Sequence, residues 1–308
     1  VSAPAFLAAL ARVGCGLQVR WRVASLALLL AVAAAPGPAL AQTGANPLQA
    51  LHEQTLAQAQ AEYKAAPDAQ RRALAAVQEV AALNSLGRSA QALQRLDEAA
   101  AALGVPVGDA ALRAKVLLPL GRCEEALPAV KAQVDALDAG ARQLLGPAHA
   151  PGGLLLLGAE PLLALTWCHA ASRRYDEATA TLARVADPFD PSLLHYRAAW
   201  YEALRLLGAA ERPSLDVAAR QLPPRAGHHD LGLAVVQGRI TLPQALAALE
   251  RRRLPPTQAQ DARAELLFFA AVRAGAPAER AELLAQLEAL APYGSTEWVM
   301  ARLLLAPR

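Results

Sequence analysis

An all-α fold of stacked helical hairpins is predicted by three observations. Alanine and leucine supply most of the apolar content, which is 55% of 308 residues, while aromatics are only 4%. The β-branched residues that favour strands are few, so composition points to helices packed closely through small side chains. The octet "LGRSAQAL" at residues 86–93 also returns as "LGRCEEAL" at residues 120–127, 34 positions later.

A fixed period of this size marks an array of helical hairpins. The glycine lets the chain turn with positive φ at the end of one helix, and the alanine lets the next helix pack closely. One hairpin cannot bury its own apolar face, so neighbours must stack.

Residues 1–41 read as a cleavable secretory signal. "RWRVASLALLLAVAAAPGPALAQTG" has Arg20 and Arg22, an apolar run over 23–35, and small residues at Ala39 and Ala41, placing cleavage after Ala41. The alternative, a retained anchor over 23–41, is interrupted by Pro36 and Pro38. Translation is expected to start at Val19. Removing the signal leaves 27 basic and 27 acidic residues, with no global pull toward nucleic acid or anionic membrane. No other stretch is apolar enough to span a bilayer, and Arg251 to Arg253 read as a solvated helix end. The mature chain keeps Cys123 and Cys168, which an exported protein could join, although their spacing does not decide it.

Residues 42–138 hold amino-terminal helices and the first two hairpins. Residues 139–159 form a Gly/Pro-rich insertion or hinge that absorbs the 18 positions by which Ala126 to Ala178 exceeds one period. Further hairpins occupy 160–222, turning at "RRYDEAT" and at Gly208. After the break "LPPRAGHHD", helices resume across 223–308. Thr241 is a cap with Pro243 in the first turn, a hairpin turns at Gly275, and a closing helix has Ser295 as its N-cap and Glu297 in its first turn.

"GRCEEAL" and "RRYDEAT" resemble the tetratricopeptide repeat family, whose turn runs glycine, a polar residue, an often aromatic residue, then Glu-Glu-Ala. Tyr175, Glu177 and Ala178 keep that pattern, while Arg173 stands in the glycine slot. The resemblance covers about residues 68–305 and is closest over 86–185. It implies a right-handed superhelical solenoid whose first helices line a concave groove holding a protein or peptide. Counting six and three residues back from the turns, and adding His195 at the start of the fourth first helix, gives the partner-binding candidates Asn84, Lys115, Trp167, His195, Glu202 and Arg205.

Catalytic patterns are weak. "GHHD" at residues 227–230 lacks the spacing of a helical metal motif and reads as loop or helix cap, since neighbouring helical side chains diverge by about 100°. "WCHA" at 167–170 sets Cys168 beside His169 without convergence and reads as core. There is no phosphate loop, no Gly-x-Ser-x-Gly elbow and no Cys-x-x-Cys pair. No cofactor, catalytic or metal site is expected. With 27 Arg against three Lys and heavy alanine use, the sequence reads as an exported, periplasmic or envelope scaffold from a high-GC bacterium. The alternatives are an enzyme or glycan-binding protein using the insertion and histidine loops, or a self-assembling array.

Overall fold

Asp68 opens the first of the predicted hairpins by accepting the Arg71 backbone N–H at 2.7 Å, which satisfies one of the donors a helix leaves orphaned at its start. The computed structural model describes residues 47–145, 159–185, 192–222 and 227–306. The expected signal, its start at Val19 and the centre of the Gly/Pro insertion lie outside the described residues. Among those described there are fourteen α-helices and no strand.

After α1 (Pro47–Ala65), the first hairpin pairs α2 (Ala69–Ser85) with α3 (Ser89–Leu103). The second pairs α4 (Ala110–Leu117) with α5 (Leu127–Leu145). Pro119 has no N–H for an α-helical bond, and α4 finishes as a 3₁₀ turn over Leu118–Leu120. The third hairpin is α6 (Glu160–Ala171) with α7 (Tyr175–Leu182), and the fourth is α8 (Leu193–Leu206) with α9 (Pro213–Gln221). Two more follow, α10 (His229–Val236) with α11 (Leu242–Arg251), and α12 (Pro256–Arg273) with α13 (Pro277–Leu290). The closing helix is α14 (Thr296–Leu304).

Five of these hairpins turn in one way. At Gly87, Gly121, Arg173, Gly208 and Gly238 the backbone takes positive φ, between 58° and 112°. The N–H of each bonds the carbonyl three residues back, and the following N–H bonds the carbonyl five residues before itself, as in Arg88 to Leu83 and Arg174 to His169. This is the Schellman closure, which satisfies the last carbonyls of the first helix. The repeated octet is therefore the sequence of a left-handed stop followed by a new helix. Ala92, Ala126 and Ala178, five residues after their turns, are buried at 0–2% exposure, where the second helix approaches its neighbour. In the fourth and fifth hairpins Pro213 and Pro243 take that slot and open α9 and α11 instead.

Two expectations need correction. Gly275 does not make the sixth turn: Ala274 leaves α12 in extended backbone, φ −55° and ψ 121°, and Pro277 starts α13. The hinge does not begin at residue 139, because α5 runs to Leu145 through "DAGARQLL", which holds one glycine among good helix formers. The caps at Thr241 and Ser295 are as expected, Thr241 closing a reciprocal capping box with Gln244.

Helices pack mainly on sequence neighbours, the pattern of a repeat array. First helices also meet one another, α4 with α6, α8 with α10 and α10 with α12. The closing segment breaks this pattern. Gly294 packs on Ser85, Tyr293 lies against Gly87, and α14 packs on α6 and α12. No helix among the described residues is long and apolar enough to cross a membrane.

Candidate functional site

Lys115 and Trp167 are the two predicted groove residues that the fold brings together. The Lys115 ammonium stands 5.8 Å from the Trp167 ring centroid and 2.5 Å from Glu160 Oε2, so one cation links α4 to the start of α6. Trp167, read as a partner-binding candidate, is 4% exposed and is a packed platform. Its indole N–H is buried with no acceptor among the described residues. Lys115 and Glu160 remain half exposed above it.

Each other candidate is committed to a different neighbour. Asn84 Oδ1 accepts the Ser89 hydroxyl at 2.7 Å, a bond across the first turn. Glu202 accepts from Gln237 at 3.2 Å, tying α8 to α10. Arg205 pairs with Glu211 at 2.7 Å and Asp216 at 3.3 Å, and Asp216 also accepts the Tyr201 hydroxyl at 2.8 Å. His195 is 2% exposed, so its place on a binding face is corrected to the core. The closing helix packs on two first helices, α6 and α12. Trp298 and Arg302 line a cleft of about 300 Å³ with residues 87–91, Pro119 and Leu120.

Cys168 is joined to Cys123 by a disulfide with a Cα–Cα distance of 5.3 Å, stapling the second hairpin to the third. Both cysteines are buried, and neither is a nucleophile. The Arg251 to Arg253 run is also not wholly solvated. Arg252 makes a two-pronged bond to Asp230, at 2.8 and 3.1 Å, and also donates to the Gly227 carbonyl.

That clamp fixes the segment carrying His228 and His229. His228 is the N-cap of α10, with backbone angles of φ −79° and ψ −21°, and the two adjacent rings stand 4.0 Å apart between centroids. His229 Nδ1 lies 2.7 Å and His228 Nε2 3.5 Å from Glu265 Oε2, and these three are the described residues whose donors could hold a metal ion. Glu265 is 3% exposed in the apolar run of α12, and its other oxygen, Oε1, is buried with no hydrogen-bond partner. Burial alone would raise the carboxyl, but His229 and then His228 outweigh it and hold it at about 2. Gly232 makes the room, because a Cβ there would stand 2.3 Å from Oε1.

The Tyr196 ring packs 4.8 Å from the His229 ring and donates its hydroxyl to Glu297 Oε1 at 2.7 Å. Trp200 donates to the same oxygen at 3.3 Å, and the Ser295 hydroxyl to Oε2 at 3.0 Å. Burial, reinforced by the charge of Glu265, raises Glu297 above the ordinary carboxylate range. Sequence reasoning missed Glu265 and Tyr196. The signal available was a lone carboxylate inside "AELLFFAAV". Compared with protein-family models, curated proteins and solved structures, the chain matches none of them.

Proposed function

We propose that this protein is an exported tetratricopeptide-like scaffold that holds a protein or peptide partner on the face of its first helices. The observation that carries this reading is the Lys115–Glu160 pair over Trp167. It sets a cation and a carboxylate from two successive first helices, both half exposed, beside the packed indole of Trp167. The five equivalent turns and the neighbour-to-neighbour packing support the repeat architecture. Export is supported by the signal-like leader and by the buried disulfide, which belongs to oxidising compartments.

The test reverses the charges at this face. Lys115→Glu and Glu160→Lys, each with unchanged helical circular dichroism, are compared with the parent in affinity capture from envelope extracts. Loss of the same captured protein in Lys115→Glu, with partial return in the doubly reversed variant, supports the reading. An identical set from all forms rejects it. A second reading, ligand binding or turnover at the histidine loop, is favoured by the convergence of His228 and His229 on Glu265.

A further inference from the structure

We propose that His228, His229 and Glu265 bind one divalent transition-metal cation, zinc being the best fit to the donor set. Two imidazole nitrogens and a carboxylate oxygen, each within 4.8 Å of the others, come from two helices that are 36 residues apart in sequence. A tetrahedral zinc with bonds of about 2.0–2.1 Å places its ligand atoms roughly 3.3 Å apart. The distances of 2.7 and 3.5 Å to Glu265 Oε2 bracket that value, and rotation of the two rings would bring their nitrogens, which lie within 4.8 Å of each other, to the same spacing.

The carboxylate itself is only half satisfied. Oε2 faces both imidazoles, while Oε1 has no donor although it is buried against Gly232 and beside Phe269. Leaving a charged oxygen unsatisfied in apolar surroundings is costly, and a histidine–carboxylate ion pair alone leaves Oε1 as it is. A divalent ion on Oε2 also leaves Oε1 without a donor, but it brings two positive charges to the carboxylate where one imidazolium brings one.

The surroundings have the form of an outer shell. Arg252 holds Asp230 and the Gly227 carbonyl on either side of the histidines, Tyr196 packs on the His229 ring, and Gly232 leaves space for the carboxylate. Such partners fix ligand orientation. Both imidazoles keep about a fifth of their side-chain surface open, which gives an ion a path in. Asp261, one turn earlier on α12 and electrostatically coupled to His228, stands on the solvent side. Three protein ligands leave a fourth position for water.

Purified protein is stripped with chelator and titrated with zinc by calorimetry, and with cobalt(II) by visible absorption, which reports tetrahedral coordination. The expected result is one ion per chain. His228→Ala and Glu265→Gln should each weaken binding by at least about 100-fold, beyond the 10–100-fold of outer-shell changes. A His52→Ala, His169→Ala control should not change it. His228→Ala keeps the test valid if Glu265→Gln disturbs folding, because the closest contact of His228 with Glu265 is 3.5 Å. Absence of binding at micromolar zinc, or binding indifferent to His228→Ala, overturns the proposal and leaves the trio as an ion pair.

Discussion

Tyr196 donates its phenolic hydrogen to Glu297 at 2.7 Å across 101 residues of sequence, fastening the closing helix to α8. The bond belongs to a buried carboxylate with three side-chain donors, from Tyr196, Trp200 and Ser295. A folded-state pKa raised above the unfolded value means that this group's stabilisation is complete below about pH 4.5 and is lost as pH rises through the folded value. Glu297→Gln is therefore expected to match or exceed the parent in stability at pH 7. Its advantage over the parent should shrink as pH falls to 4 in urea titrations. Glu297→Ala strands the three donors and should cost about 1–3 kcal/mol.

Arg173 holds the left-handed position that glycine holds in the other four equivalent turns, with φ of 58°. An L-residue there is disfavoured by about 1–2 kcal/mol. Arg173→Gly should raise stability by about 1 kcal/mol in urea unfolding. Gly87→Ala should lower it, since the new methyl would meet the Tyr293 ring at 3.2 Å with unfavourable φ.

The Cys123–Cys168 bond closes a loop of 45 residues between two hairpins. Replacing both cysteines with serine should cost about 2–4 kcal/mol, chiefly through a freer unfolded chain. Mass spectrometry after alkylation without reductant should find no modified thiol at either position in protein recovered from cells.

Gly232→Ala drives a methyl into Glu265 Oε1 and the Phe269 ring. Overpacking of this kind costs about 1–3 kcal/mol. A lowered thermal midpoint with retained helical circular dichroism checks it.

The hairpins were legible where local chemistry repeats. Glycine, then alanine five residues on, locates the first two turns, and Tyr175, Glu177 and Ala178 locate the third despite Arg173. The turn at Gly238 was passed over although it has the same proline in the alanine slot as the turn at Gly208, and Gly275 misled because a proline-led helix start needs no left-handed stop. Site positions were less legible. Counting along first helices put Lys115 and Trp167 at equivalent positions of two successive first helices, where the fold brings them together, but it could not foresee that the Tyr293–Gly294 segment folds back onto the first turn. His228, His229 and Glu265 meet only because α10 stacks on α12, a relationship no short window contains.

The central claim, that the face around Lys115 holds a partner, is tested most directly by a photo-crosslinking amino acid placed at position 115 in intact cells. The same probe at Gln94, an exposed residue of α3 whose side chain donates to Glu98 of its own helix, serves as the reference. The account predicts one discrete adduct from position 115 that is missing from position 94. Adducts that are absent at 115, or the same at both positions, contradict it.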